Sequence, residues 1–190
     1  MRDYGAVTAD PQAPHAATLL AALEAGPGLT HAVGLPDNAS AALFERLDRH
    51  PSIDLLTVTR EGEAFAIASG LWVGGKSSIV IVQNTGLLES GDALRGTAAR
   101  MEVPLLCLVT YRGYRSLLDH GAKASPQAAG SLSDPSLDST ALVTEPTLDA
   151  WGLPYEHYGS DADTPAVSRA RQRALDGARP AALLITRTLV

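Results

Sequence analysis

Three clusters of residues able to do chemistry stand at the ends of apolar runs: Gly34-Leu35-Pro36-Asp37-Asn38, Arg60-Glu61-Gly62-Glu63 and Gln83-Asn84-Thr85-Gly86. Each also has a purely structural reading. Pro36-Asp37 is common turn chemistry, with Asp37 or Asn38 capping the next helix, and Asn84-Thr85-Gly86 reads equally as a tight turn. Glu61 in a first helical turn is favoured by the helix dipole whatever the protein does. Their shared position is the informative point, because ligands of open parallel sheets bind at the carboxyl ends of strands.

The elements that position them alternate regularly. An Ala/Leu-rich helix runs from about His15 to Ala25 and stops at Gly26-Pro27-Gly28, and a short strand covers Thr30 to Val33. A helix over 39–49, with Leu43, Phe44 and Leu47 at helical spacing, is closed by Pro51. Ile53 to Val58 reads as a buried strand. Helices over Glu61–Val73 and Leu87–Arg100 then alternate with strands over Ser78–Val82 and Leu105–Thr110. After an irregular stretch from Tyr111 to Glu145, a helix over Ala166–Asp176 and a strand over Ala181–Thr186 complete the pattern. Apolar strands alternating with helices imply right-handed parallel β-α-β units with both sheet faces covered. The expected fold is a three-layer α/β/α domain over residues 15–190, with residues 1–14 as an N-terminal tail.

Composition narrows the function. The 190 residues fit one core, and 15 Lys plus Arg against 21 Asp plus Glu leave a net charge of −6, unlike a nucleic-acid binder. Residues 1–14 hold no apolar run of a signal peptide or anchor, so no membrane partner and a cytoplasmic location are expected. The single cysteine, Cys107, lies in the apolar run Leu105–Val109 and reads as a buried core thiol. The run Gly70 to Ser77 satisfies the P-loop pattern, but that motif needs a strand before it and a helix after it. Here the order is reversed, so Gly74-Gly75 reads as a left-handed helix cap with Lys76 beside the helix end. The helix from Glu61 carries Ala64-Phe65-Ala66-Ile67-Ala68 with no polar stripe, which points either to contact with another chain or to harmlessly exposed alanines. At an interface, the Glu61 carboxylate would be carried into a desolvated place, which marks it as a functional candidate.

Those three clusters, with the continuation Ala64-Phe65-Ala66-Ile67-Ala68-Ser69-Gly70, resemble the pyrimidine-binding domain of thiamine-diphosphate enzymes. They resemble most the sulfopyruvate and phosphonopyruvate decarboxylases, whose patterns are G-V-P-D-S, N-E-G-x-A-x-A-x-A-x-G and Q-N-S-G-L-G-N. The resemblance spans about Thr30 to Gly113. It implies that Glu61 hydrogen-bonds the aminopyrimidine nitrogen N1′ and so promotes loss of the thiazolium C2 proton. The cofactor then acts as electron sink for the carbanion left by loss of CO₂. It further implies Gln83, Asn84, Thr85 and Gly86 as cofactor contacts. Pro36, Asp37, Asn38, Arg112 and His120 are the candidate substrate contacts, with Arg112 as an anion contact.

The family's second domain carries a G-D-G…N segment for Mg²⁺ and the diphosphate, and this sequence contains none. The resemblance therefore implies the alpha subunit of a split 2-oxo acid decarboxylase. Thiamine diphosphate would lie between it and a separately encoded beta subunit that ligates Mg²⁺, in an α₂β₂ assembly. The alternative is a non-catalytic regulatory subunit that keeps the fold; an unrelated α/β domain sharing only strand-end turns is a third. Asn38 replaces Ser, Leu88-Glu89 replaces Gly-Asn, and Lys123 to Ala128 lacks the acidic pair and histidine of a D-E-P-Q-H run. Those departures bear on which 2-oxo acid is used, whether the product is an aldehyde or a carboligation product, and whether His120 takes over the missing histidine's role.

Overall fold

The computed structural model describes residues 10–26, 28–125 and 132–190. Six strands, β1 (His31–Gly34), β2 (Asp54–Thr57), β3 (Ser78–Gln83), β4 (Leu106–Thr110), β5 (Tyr155–Tyr158) and β6 (Ala181–Ile185), form one sheet in the order β2-β1-β3-β4-β6-β5. Every pairing is parallel. Strand residues alternate between two cores, as a period of two requires. Ala32, Ile79, Ile81, Leu106, Leu108 and Leu183 face one layer, built from α1 (Ala16–Glu24), α2 (Ala41–Asp48) and α8 (Thr164–Gly177). Val33, Val80, Val82, Cys107, Val109 and Leu184 face the other. That second layer holds α3 (Glu61–Val73), α4 (Asn84–Glu89), α5 (Gly91–Ala93) with a π-helical turn over Leu94–Ala99, α6 (Tyr114–Asp119) and α7 (Ser139–Ala150). The expected three-layer α/β/α class is what the chain adopts. Among the described residues, no helix is long and apolar enough to cross a membrane.

The glycines after α3 follow a helix and precede a strand, as the sequence requires of a cap. Gly75 takes φ +74, its N–H donates to the Trp72 carbonyl, and the Lys76 N–H donates to Leu71. This is a Schellman closure rather than a phosphate loop. Residues 10–14 of the expected tail are anchored: Val190 N–H donates to Pro14 and Ala16 N–H to Val190.

Four expectations change. β2 is not a buried strand but a sheet edge, with Asp54, Leu56 and Thr57 exposed. The helix placed at Leu87–Arg100 starts at Asn84, directly off β3, and breaks at Ser90, whose hydroxyl donates back to the Gly86 carbonyl at 2.6 Å. The stretch Tyr111–Glu145 is partly regular, containing α6 and the start of α7. Helix α7 tolerates Pro146 because the Leu142 carbonyl, which Pro146 cannot serve, accepts from Ser125 N–H. Strand β5, which the apolar pattern did not announce, closes the opposite sheet edge.

Candidate functional site

Strand order reverses between β1 and β3, which opens a crevice at their carboxyl ends. Asp37 leaves β1 there and Gln83 ends β3. The Asp37 carboxylate, half-buried, accepts from Ser40 N–H at 2.8 Å and Ser40 Oγ at 2.6 Å through Oδ1. Its Oδ2 accepts from Gln83 Nε2 at 2.9 Å and Thr110 Oγ1 at 2.5 Å. Burial alone would push this carboxyl up, but the hydrogen bonds from Ser40, Thr110 and Gln83 outweigh it and hold the group below its ordinary value. Asp37 thus ties the ends of β1, β3 and β4 together and fixes the Gln83 amide.

Glu61 opens α3, beside the end of the edge strand. The duty of capping that helix falls to its neighbour: Glu63 Oε2 accepts from the N–H groups of Thr59 (3.1 Å) and Arg60 (3.2 Å) and from Thr59 Oγ1 (3.2 Å). Among the described residues nothing hydrogen-bonds the Glu61 carboxylate, which is half-buried. Its side chain lies on the bare face of Gly86. A Cβ on Gly86 would sit 2.1 Å from Glu61 Oε1 and 2.3 Å from its Cγ. Arg60 and Glu89, both exposed, form an ion pair across the starts of α3 and the end of α4, flanking this contact.

The remaining predicted residues divide. Asn84 is fully buried, and its Nδ2 donates to the Arg112 carbonyl and to Thr144 Oγ1, both at 3.1 Å. Its Oδ1 accepts from Thr85 N–H at 3.1 Å, so Asn84 clamps α4, β4 and α7 together and faces the interior. Thr85 is exposed and bonds Gln83 Oε1. Asp37, Asn38, Gln83 and Arg112 all line one cleft of about 640 Å³ at the carboxyl ends of β1, β3, β4 and β6. Glu61, Pro36 and His120 do not line it. His120 ends α6 in an exposed position, its Nδ1 2.8 Å from the Ser116 carbonyl. Pro126 to Ala128 lie outside the described residues.

Sequence reasoning missed Asp138. Its Oδ1 caps α7 through Thr140 N–H (3.0 Å) and Ala141 N–H (3.2 Å), while Oδ2 meets Arg112 Nε at 3.0 Å. Gly113, at φ +82, makes the approach possible, since a Cβ there would lie 2.4 Å from Asp138 Cβ. The sequence signal was an Asp directly before a Ser-Thr-Ala start, an ordinary helix cap. Among the described residues no cluster of three His, Cys, Asp or Glu side chains could hold a metal ion.

The chain is thus a parallel α/β/α domain in which a glutamate without a hydrogen bond to a described residue opens a helix and packs on a glycine. Residues 15–130 match the family "Thiamine pyrophosphate enzyme, N-terminal TPP binding domain", and the chain belongs to that family. Thiamine pyrophosphate is thiamine diphosphate under its other name. The chain is similar to phosphonopyruvate decarboxylase of Streptomyces viridochromogenes, 38% identical over 98 residues that make up 52% of this chain and 24% of that one. It is also similar to sulfopyruvate decarboxylase subunit alpha of Methanothermobacter thermautotrophicus, 33% identical over 86 residues, 45% of this chain and 52% of the other. The subunit alpha of Methanocaldococcus jannaschii is 30% identical over 71 residues, 37% and 42% of the two chains. The matched regions thus span about a quarter to a half of these relatives.

Proposed function

We propose that this chain is the alpha-type subunit of a thiamine-diphosphate-dependent 2-oxo acid decarboxylase whose substrate carries a second acidic group, a sulfonate or phosphonate. The observation that carries the reading is the Glu61 carboxylate, which makes no hydrogen bond to a described residue while Glu63 caps the helix, and which occupies the side-chain space of Gly86. In this reading the Glu61 carboxyl faces the aminopyrimidine ring of the cofactor, and the absence of a side chain at Gly86 lets it keep that position. When bound, the cofactor supplies an electron sink for the carbanion that loss of CO₂ leaves.

In this reading Glu61 holds the proton shared with ring nitrogen N1′, and Gly86 preserves its position. Asn84 works from the interior, setting the start of α4 that carries Gly86. Gln83, oriented by Asp37, presents its fixed amide to the cleft together with Asn38 and Arg112. A separately encoded subunit supplies the diphosphate and Mg²⁺ contacts and closes the cleft, a reading supported by the relatives named as alpha subunits. The face of α3 that carries Ala66, Ile67, Gly70 and Val73 is exposed, with Val73 at 67%, and is the surface this partner covers.

The test is co-expression with a diphosphate-binding subunit, followed by CO₂ release from sulfopyruvate, phosphonopyruvate and pyruvate. Glu61→Gln should lower turnover about 10²- to 10⁴-fold, the range for a positioned proton donor. Undiminished turnover in Glu61→Gln refutes the assignment of the activator. A stable complex that binds cofactor and releases no CO₂ from any 2-oxo acid establishes the regulatory subunit instead.

A further inference from the structure

The cleft at the carboxyl ends of β1, β3, β4 and β6 is lined by three arginines, Arg112 and Arg115 from the stretch after β4 and Arg187 from the one after β6. They are not equivalent. Arg187 is engaged by Asp10 and by Gln12 Oε1. Arg112 forms an ion pair with Asp138, Nε to Oδ2 at 3.0 Å, and its guanidinium donates no hydrogen bond to a described residue. Arg115 is exposed and makes no hydrogen bond or ion pair with a described residue, only a longer-range attraction to Asp10. The only carboxylate lining the cleft among the described residues, Asp37, has both oxygens turned to Ser40, Gln83 and Thr110. Asn38 and Thr188, also in the lining, have side chains without hydrogen bonds to described residues. A pocket so arranged offers an anion the side chains of Asn38 and Thr188 and the guanidinium of Arg115, which no carboxylate pairs directly.

We propose that Arg112 and Arg115 recognise the non-reacting acidic group, a tetrahedral sulfonate or phosphonate, of the 2-oxo acid, and that Asp138 is the positioning residue that aims Arg112. This rests on the decarboxylase reading and adds which residues read the substrate's far end. A guanidinium anchored along one edge keeps its terminal N–H pair in a fixed fork, which suits a tetrahedral oxyanion. The anchoring is built in: Gly113 adopts a left-handed conformation with no side chain, and Asp138 approaches through the space so left while capping α7. Asn84 holds the Arg112 carbonyl, so the same α4 that bears Gly86 against Glu61 also sets the backbone of Arg112.

Two measurements separate this inference from the reading beneath it. On the chain alone, methanesulfonate and methylphosphonate are titrated against the Gly113 amide resonance. Arg115→Gln and Arg112→Gln should each weaken binding about 10- to 100-fold, the range for a lost charged hydrogen bond, and the tighter probe identifies the acid. In the reconstituted enzyme, kcat/KM for sulfopyruvate or phosphonopyruvate relative to pyruvate should fall by a similar factor in both variants. Asp138→Asn keeps an oxygen for the helix cap but removes the charge that pairs with the Arg112 guanidinium. It should raise KM for the acid-bearing substrate several-fold with kcat and melting temperature nearly unchanged, a split that loss of the cap would not produce. Equal losses on all 2-oxo acids, or probe binding that the arginine variants leave intact, overturn the inference. Absence of CO₂ release from every 2-oxo acid, with probe binding still sensitive to both arginines, overturns the decarboxylase reading alone.

Discussion

Gly86→Ala isolates the role of Glu61 without touching its carboxylate. The three nearest atoms to an added Cβ all belong to Glu61, with Oε1 at 2.1 Å, Cδ at 2.2 Å and Cγ at 2.3 Å. No side chain tolerates such approach, and the Glu61 end can swing away, so the carboxyl retreats by about 1 Å or more. Stability should barely register this. Alanine in a helix gains about 0.5–1 kcal/mol over glycine, and an off-rotamer Glu61 costs about 0.5–1.5 kcal/mol. The net change lies within about 1 kcal/mol, or roughly 2–4 °C in Tm for a chain of this size. Catalysis is less tolerant, because a misplacement of about 1 Å costs about 10²-fold. Thermal melting of the chain and CO₂ release by the reconstituted enzyme therefore come apart: a nearly native Tm with turnover reduced about a hundredfold. The double variant Glu61→Gln/Gly86→Ala supplies the sharper criterion, since a glycine acting through Glu61 adds nothing once the carboxylate is gone. Full turnover in Gly86→Ala, or losses that multiply in the double variant, refutes the reasoning.

The same substitution at Gly34 has the opposite signature, because its Cβ would lie 2.1 Å from the backbone oxygen of Ile81 in the neighbouring strand. Overpacking against backbone costs roughly 3 kcal/mol or more, so Gly34→Ala should lower Tm by about 6 °C or more, read by calorimetry. Asp37→Asn puts an amide where two donors point and should cost about 1–3 kcal/mol at neutral pH, measured by urea unfolding. Because the folded carboxyl is held below its ordinary value of 3.8, the wild-type advantage is full above about pH 5. It disappears as pH falls below 3.8 and through the depressed folded value, so an unchanged difference at low pH would contradict the network. Cys107, 2% exposed with its thiol pushed up to about 12 by burial, should resist iodoacetamide in the native chain. Its labelling should track global unfolding in a denaturant series.

What was legible in the sequence was whatever burial on both sides writes into consecutive residues. β3, β4 and β6 are continuous apolar runs because helices cover both faces, and their positions follow from that. β5 is Tyr-Glu-His-Tyr at a sheet edge, where only Tyr158 is fully buried, so the pattern carried no strand signal. β2 misled in the other sense, since Ile53 and Val58 are buried at its ends while the strand between them faces outward. Helix α7 was hidden by Pro146 and its threonines, whose packing depends on Ser125 and Asn84 reaching it from elsewhere in the chain.

The candidate site shows the same division at the level of single side chains. Glu61 and Gly86 belong to motifs read along the chain, yet the contact between them exists only because α3 and α4 pack together. Asn84 sits in one of those motifs as well, but its amide is consumed by Arg112 and Thr144, 28 and 60 positions away. A polar residue beside a pocket is thus not assigned by its motif. The assignment depends on whether its donors and acceptors are already satisfied, because a satisfied buried group has nothing to offer a ligand and much to lose by turning toward one. By that criterion Asp37, Asn84 and Asp138 hold the site in shape. The groups left with unsatisfied capacity, the Glu61 carboxylate and the guanidinium nitrogens of Arg112 and Arg115, are the ones proposed to meet cofactor and substrate.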